Sequence, residues 1–599
     1  MGTKRSILSH LDPVTVSERA RTESRNREVH LPPISTYRWW ARRTGAVTSA
    51  LLEAATTALG RPTLTVGDPF AGGGVIPLIA LSQGHTVLAS DINPWAAHGL
   101  KATLTLPPPE RIEQAADRLA RRAAPLVATA YGSGTATIAH TLRVAIAPCT
   151  ACGTTARLFP FATVSLLQRR DRGGTDAWLA CPRGHLFRGS TAKQHVCPTC
   201  KAHTDPAAAY LPRRTITCPC GHKERLSQRG PLAWEVVLVE RIIGRSRDLA
   251  LPTEAERRQA SDARWQPKSD LGTIPPGQES SVLLRHGMRR WCDLYPARQR
   301  AVTESLLAML EDEPPMIRSA LRMAVLGTTE MAGHLSRWDR YYLKGYESMA
   351  SHRFNLTTLT VEPNVWGTAA AGRGTVIRRL RSLKKAARWL HESAPQRLVT
   401  VQRCDARAVD WAPGSVDLIL TDPPYHDDVG YDELSRPLRA WAGLSMSLLS
   451  GQATGGPNYT ATLTTIFAHL RGTLRPDGHL VFSFANRRPD VWVSLLSALQ
   501  AAGFHAAGCA IVHSENELDG VKRSRRSCTL DLILDLVLTP AQPSALTSHI
   551  QSPEADFLLA VGETMLRVGQ LEEGWEAALI TRLSAMEFLR SERKKVRIK

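Results

Sequence analysis

The sequence predicts an α/β fold built on a Rossmann-like sheet of seven strands, with a large insertion between the second and third strands. Three observations carry this. Leu64 to Pro77 reads as a strand, a turn of three glycines (Gly72, Gly73, Gly74) and a helix. Val416 to Leu420 is an apolar run leading into Thr421-Asp422-Pro423-Pro424-Tyr425, where a buried parallel strand would end. Between these two stretches lies a cysteine cluster: seven of the eleven cysteines fall between residues 149 and 220.

A chain of 599 residues has room for several domains and a substantial core. Its 43% hydrophobic content is ordinary for a globular protein. No run of about 18 apolar residues is present, so no membrane span is expected. The basic start has no apolar segment behind it and is not a secretory signal, which makes a cytoplasmic protein the expectation. The net charge of +20, from 75 Lys and Arg against 55 acidic residues, suits a polyanionic partner. Nucleic acid fits better than a membrane surface, for want of an amphipathic anchor. In a cytoplasmic chain, clustered cysteines point to metal before disulfides.

Taken in order, residues 1–60 are polar and Arg-rich and turn helical around Tyr37-Arg38-Trp39-Trp40-Ala41-Arg42-Arg43. Ala46 to Leu59 reads as an amphipathic helix closed by Gly60. The tryptophans are expected to pack on the following domain, and the arginines to face solvent or a phosphate. In the next unit Pro77 sits early in its helix, where it is tolerated, and Gly84 closes that helix. Glycines let the backbone approach a ligand where side chains would collide. The second strand, Thr86 to Ser90, ends in Asp91, a place suited to a ribose hydroxyl. The turn lacks pyrophosphate-loop spacing and has no Gly-Lys-Ser/Thr ending, so it is not an NTP loop.

The third strand is expected at Leu398 to Val401, before Cys404-Asp405-Ala406, and the fourth carries Asp422. His479 to Phe484, after the turn Leu474 to Gly478, makes the fifth, and Cys509–His513 and Thr529–Leu538 close the sheet. Pro423 and Pro424 hold the chain extended without amide donors. Asp422 and the Pro423 carbonyl can then accept hydrogen bonds from one amino group, with Tyr425 offering a ring face.

Roughly 300 residues part the second and third strands, far beyond an ordinary connection. The expected segments are therefore 1–60, 61–110 (first part of the sheet domain), 111–250 (zinc ribbon), 251–395 (linker and helices), 396–540 (second part) and a basic helical tail, 541–599. The ribbon carries Cys149-x-x-Cys152, Cys181-Pro-Arg-Gly-His185, Cys197-x-x-Cys200 and Cys218-Pro-Cys220-Gly-His222, the form of tetrahedral zinc knuckles. Consecutive pairing would join Cys149, Cys152, Cys181 and His185, and separately Cys197, Cys200, Cys218 and either Cys220 or His222. Crossed pairing, with both Cys-x-x-Cys knuckles on one ion, stays open. One or two structural Zn2+ ions are expected, since no Glu base accompanies a deaminase-type ligand set. Beyond a linker at 251–280, Arg337, Trp338, Arg340, Tyr341, Tyr342, Lys344 and Tyr346 mix rings and cations, either to stack on bases or as an amphipathic helix. Basic runs follow at Arg378–Arg388, Lys522–Arg526 and Arg590–Lys599.

Asp68-Pro69-Phe70-x-Gly72-x-Gly74, a strand and then Asp91 resembles the S-adenosylmethionine site of class I methyltransferases. In that resemblance Asp68, Gly72 and Gly74 border the methionine end, Phe70 packs beside it, Asp91 holds the ribose and Asp405 contacts the adenine amine, with Pro69 among the cofactor-binding residues. Trp39-Trp40-Ala41-Arg42-Arg43, the cysteine insert, Trp291-Cys-Asp-Leu-Tyr-Pro-Ala-Arg-Gln299 and Thr421–Tyr425 with Asp428, Val429 and Tyr431 extend it. The chain is similar over most of residues 20–530 to zinc-ribbon-containing, adenine-specific DNA methylases with an N-terminal domain of unknown function. It departs from them at Tyr295-Pro296-Ala297, where their form is Phe-Thr-Pro. The resemblance implies methyl transfer from S-adenosyl-L-methionine to a base amine in double-stranded DNA, adenine N6 before cytosine N4. Asp422, Pro423, Pro424 and Tyr425 would form the catalytic motif. Some relatives belong to phage-defence islands, which implies a defence or restriction-modification setting and further defence or specificity subunits. Cytosine C5 chemistry is excluded, because the Pro-Cys pairs lie in the zinc cluster. The alternatives are an RNA methyltransferase of the tRNA guanine-N2 type and a non-catalytic, zinc-dependent DNA-binding subunit.

Overall fold

The computed structural model describes residues 6–26, 30–40, 42–350, 352–368, 372–396, 398–423, 430–447, 458–514, 528–543 and 548–590. They form two compact units: Met1–Leu106 with Lys385–Val429 and Ser447–Lys599, and Pro107–Lys384 with Gly430–Met446. Among the described residues no helix is long and apolar enough to cross a membrane.

The first unit is a seven-stranded mixed sheet: β1 (Thr65–Asp68), β2 (Thr86–Ser90), β3 (Val399–Gln402), β4 (Val416–Thr421), β5 (Leu474–Phe484), β6 (His505–His513) and β7 (Leu530–Val537). The spatial order is β3-β2-β1-β4-β5-β7-β6. The first five strands run parallel, and β7 is antiparallel to both its neighbours. This arrangement is compatible with a Rossmann-like fold. Every residue of β4 is buried, as expected of a strand with neighbours on both sides and layers on both faces. β5 begins at Leu474, earlier than expected; Leu474 pairs with Val416 and an irregularity follows before Leu418 meets His479, so the expected turn is absorbed into the strand.

Helix Val75–Ser82 starts at Gly74 and is buried along almost its whole length. Gly60 (φ 62°) ends helix Gly45–Leu59 in the left-handed conformation that glycine takes without a Cβ clash. The helix expected around Tyr37 is absent among the described residues there: Tyr37 to Trp40 are irregular. Tertiary contacts override local preference. The Tyr37 ring lies so close to Gly99 that a Cβ there would come within 2.4 Å of it. Its hydroxyl donates to the Gly72 carbonyl (2.6 Å), and Trp95 Nε1 donates to the Arg38 carbonyl (2.8 Å). At the other end of the chain, helices Pro553–Met565 and Trp575–Ser584 add apolar side chains to the core beneath β5, β6 and β7. Of the basic runs, residues 522–526 and 591–599 lie outside the described residues.

In the second unit the expected ribbon and helical segments share one sheet, because Leu359–Pro363 pairs with Ala136–Pro148, which in turn pairs with Ala233–Ile243. The expected linker contains helix Glu254–Ala260, closed at its start by a Thr253/Glu256 capping box. Arg298 and Gln299, which follow the departing Tyr295-Pro296-Ala297, are buried structural residues. Arg298 donates to Glu362 (2.8 Å), Thr141 Oγ1 (2.8 Å) and the Ala130 carbonyl (3.2 Å), and lies over the Tyr131 ring. Arg143 takes the other oxygen of Glu362 at 2.7 Å. Gln299 bonds the Met331 carbonyl and the Gly333 N–H.

Burial works to raise the Glu362 pKa, but the charges of Arg298 and Arg143 overcome it and hold the group at about 2, below its ordinary 4.5. A depressed carboxylate stabilises the fold above its unfolded pKa and loses that contribution as pH falls through the folded value. Arg298→Met, which leaves Glu362 with one cation instead of two, is expected to lower stability by on the order of 3 kcal/mol in equilibrium denaturation. Glu362→Gln should flatten the acid limb of stability between pH 4.5 and about 2.

Candidate functional site

The strand tips of the first unit converge at the carboxyl edge of its sheet, where open α/β folds bind ligands. β1 and β4 are direct neighbours, with Gly67 opposite Ile419. Their ends are tied by Thr421 Oγ1, which donates to Asp68 Oδ1 at 2.7 Å. The Phe70 N–H reaches the same oxygen at 3.2 Å. Asp68 is buried, and desolvation raises its pKa to about 7; the Thr421 and Phe70 bonds oppose the rise, while Asp91 and Asp422 add to it.

Asp91, one strand over, accepts from Gly72 N–H (2.8 Å) and Asn93 N–H (2.7 Å). Burial still raises it to about 6. The glycine turn is buried and crowded from outside by the N-terminal segment. A Cβ on Gly72 (φ +43°) would lie 2.7 Å from Trp39 Nε1, and one on Gly73 would meet Arg42 Cγ at 3.0 Å. The residues that exploit the missing side chains are therefore Trp39 and Arg42. Phe70 packs half-buried against the core. Asp405 caps a short 3-10 turn and is chelated by Arg407. Burial pushes its pKa up, but Arg407 and the turn's N–H outweigh that and hold it down.

Asp422 follows β4 and is held by a residue that sequence reasoning assigned elsewhere. Arg43 grips it with two bonds, Nε to Oδ2 and Nη2 to Oδ1, each 2.8 Å. The same guanidinium donates through Nη1 to Asp531 at 2.7 Å. Because β7 runs antiparallel to β5, Asp531 near its start lies at the same sheet edge as Asp422. Arg43 thus faces carboxylates, not solvent or a phosphate. Desolvation raises the Asp422 pKa, Arg43 works against the rise, and Asp531 adds to it. Asp531 and Asp535 were the available signal: two acids inside an apolar run must find partners when buried. Asp535 finds Ser6, the Ile7 N–H and His479. Pro423 is described and buried; Ala41, Pro424, Tyr425, Asp428 and Val429 lie outside the described residues.

The cysteine knuckles group in a nested way that corrects both expected pairings. Cys149, Cys152, Cys218 and Cys220 form one set, and Cys181, His185, Cys197 and Cys200 the other. Sulfur separations are 3.8 Å for Cys149–Cys220, 3.6 Å for Cys152–Cys218 and 3.7 Å for Cys181–Cys200, with Cys181 Sγ 3.5 Å from His185 Nδ1. Metal–sulfur bonds of ~2.3 Å around a tetrahedron put sulfurs about 3.8 Å apart, so both sets can hold a metal ion and are consistent with zinc. His222 stands outside both, its Nε2 3.0 Å from Thr150 Oγ1. Its backbone carbonyl closes the Cys218 knuckle, as the His185 carbonyl closes that of Cys181.

The aromatic-basic stretch is a hairpin, Trp338–Asp339 against Lys344–Gly345, and not a helix. Its rings and cations serve one another: Arg340 lies 3.7 Å from the Phe161 centroid, Arg337 and Arg373 cover Tyr346, and Trp338 is buried. On helix Val376–Ser393 the residues Arg378, Arg381, Lys385 and Arg388 are exposed along one stripe.

Neither a family model nor a curated protein matches the chain.

Two measurements check this geometry. Metal analysis is expected to return two zinc ions per chain, falling to one in Cys218→Ser or in Cys181→Ser; a single ion in the wild type would contradict the nested sets. Asp68 has a raised pKa, so its contribution to stability is fully present below pH 3.8 and lost as pH rises through about 7. Asp68→Asn cannot ionise, and without ligand its thermal midpoint should exceed that of wild type above about pH 7 but not below 3.8.

Proposed function

We propose that the chain is an S-adenosylmethionine-dependent DNA methyltransferase acting on an exocyclic base amine, adenine N6 before cytosine N4. The observation that carries this reading is the convergence of Asp68, Asp91 and Asp422 at one sheet edge, although 353 residues separate Asp68 from Thr421. The strand order also agrees with the seven-stranded sheet that the motif resemblance implies.

The residues fit the cofactor. Asp68 and Asp91 are buried carboxylates with raised pKa values, a pair that calls for hydrogen-bond donors. Asp68 faces the glycine turn and suits an ammonium; Asp91 suits ribose hydroxyls. Bound S-adenosylmethionine would supply a methyl group activated by its sulfonium. The chain's own residues do the positioning. Asp422 and the Pro423 carbonyl accept hydrogen bonds from the target amine and direct its lone pair, so most of the rate gain is orientation. No covalent intermediate with the protein is needed. A base within a duplex must first leave the stack. Each Asp422 oxygen accepts one bond from Arg43 and keeps a second lone pair, so the target amine would bond Asp422 beside Arg43 or in place of one of its two bonds. The two metal-capable sets would hold structural Zn2+, folding a segment whose small apolar clusters give it little core.

The Arg43 pair also supports a second reading, in which Asp422 is permanently neutralised and the chain binds DNA without modifying it. Transfer of labelled methyl to unmethylated DNA decides between them. The expected product is N6-methyladenine, with Asp422→Ala lowering the rate by ~10²–10⁴-fold. S-adenosylmethionine binding without transfer to DNA or tRNA would sink the enzymatic reading. Burial raises the Asp422 pKa and Arg43 opposes the rise, so Arg43→Ala should move the acid limb of the pH–activity profile to higher pH. An unmoved limb would show that Asp422 ionisation is not what the profile reports.

A further inference from the structure

A cleft of about 420 Å³ lies in the second unit between the hairpin Thr215–Thr217/Lys223–Arg225 and the short helix Ser281–Arg285. Four guanidiniums line it: Arg213, Arg214, Arg225 and Arg285. The lining includes no carboxylate, and among the described residues none of the four has an acidic partner. The contrast is local, since Arg229 on the same segment is paired with Glu224 at 2.8 Å. All four are exposed, so solvent screens much of their mutual repulsion, and an anion bound among them would relieve what remains.

A buried histidine points the same way. His286 is 7% exposed and forms part of the cleft wall. Its Nδ1 lies 2.8 Å from the Val282 carbonyl, which can only accept, so Nδ1 carries a hydrogen. Nε2 is buried and has no hydrogen-bond partner among the described residues. Burial first, then the charges of Arg214 and Arg285, disfavour the imidazolium, whereas the Val282 bond favours it. The positive field of the arginines therefore reaches the ring. Thr215 and Ser227 add hydroxyl donors. The wall is held in place: Glu433 accepts the N–H groups of Gln278, Glu279 and Ser280 at 2.8–3.0 Å and so anchors the start of the helix that carries Arg285.

Guanidinium forks, hydroxyls and an imidazole are a donor set for phosphate oxygens. The neighbourhood favours phosphate that is part of a larger molecule. A second cleft of about 930 Å³ shares the His286 wall and is lined by Trp234, whose ring stacks on His334 with centroids 5.0 Å apart. We propose that the Arg213/Arg214/Arg225/Arg285 cleft holds backbone phosphate of a polynucleotide. The choice of polynucleotide rests on the nucleic-acid substrate proposed above, but not on methyl transfer itself.

The test measures binding of a short labelled DNA duplex by the full-length protein, without cofactor, across a salt series. Arg214→Ala/Arg285→Ala is expected to weaken binding by at least ~10-fold and to reduce the slope of log affinity against log salt by about 1–2. Arg213→Ala/Arg225→Ala, on the hairpin wall, should do the same. Unchanged zinc content and circular dichroism establish that each variant is folded. Folded variants that bind duplex like wild type would overturn the proposal. Inorganic phosphate that binds wild type but not the variants, with duplex binding unaffected, would make this a free-phosphate site and also overturn it. A wild type that binds neither duplex nor single strands would remove the nucleic-acid reading altogether. Arginine-dependent duplex binding without methyl transfer would uphold the cleft and sink only the proposed enzyme.

Discussion

A single hydroxyl, Thr421 Oγ1, bonded to Asp68, joins two strand ends that lie 353 residues apart in the chain. That bond expresses the constraint on which the molecule is arranged: β1 and β4 must be parallel neighbours. Everything inserted after β2 has to leave the sheet and return to it without disturbing their register. An insertion with its own sheet and its own buried polar centre meets that requirement. The triad of Arg298, Glu362 and Arg143 supplies the polar centre, fixing helix Ala297–Ala308 to strands Leu359–Pro363 and Ala136–Pro148. Such a network stabilises modestly for the charge it buries but tolerates few alternative packings.

At the sheet edge the same economy of charge recurs with a different outcome. Asp68, Asp91, Asp422 and Asp531 gather at neighbouring strand ends, and among the described residues Arg43 is the cation that grips two of them. The acids left without a cation, Asp68 and Asp91, are those whose pKa values rise into the neutral range. An edge so short of positive charge is suited to a cationic or donor-rich ligand. One cleft of the second unit shows the opposite imbalance: among the described residues, Arg213, Arg214, Arg225 and Arg285 line it without an acidic partner.

Much of the sheet was legible because parallel strands buried on both faces read as continuous apolar runs, and Val416 to Thr421 is one. The glycine turn and Asp91 were legible as a motif. Other features depended on long-range contact, which a local pattern does not record. Tyr37 to Trp40 have helical letters, yet Gly99 offers the tyrosine ring a flat surface and Trp95 claims the Arg38 carbonyl. The metal-capable residues were legible by type but not by partner, since equal spacings in repeated knuckles suit several pairings. Arg43 was visible as a basic residue near a tryptophan pair, but its partner Asp531 lies 488 positions away. The ring-and-cation stretch read as a helix or a nucleobase platform, because composition does not say whether rings meet cations from the same chain.

The nested metal sets bear on how the ribbon assembles. The inner set closes a span of 19 residues between Cys181 and Cys200, whereas the outer must bring together Cys152 and Cys218, 66 residues apart. Chain entropy makes the longer closure costlier by about 1 kcal/mol when the intervening segment is unstructured. Once the inner knuckles have closed, they shorten the free chain that the outer ligands must tether. If both sets take metal, this would favour filling the inner set first and losing metal first from the outer set, where Cys152 and Cys220 are exposed. Nesting would then make two centres of similar chemistry successive in assembly, since closing one shortens the chain that the other must tether.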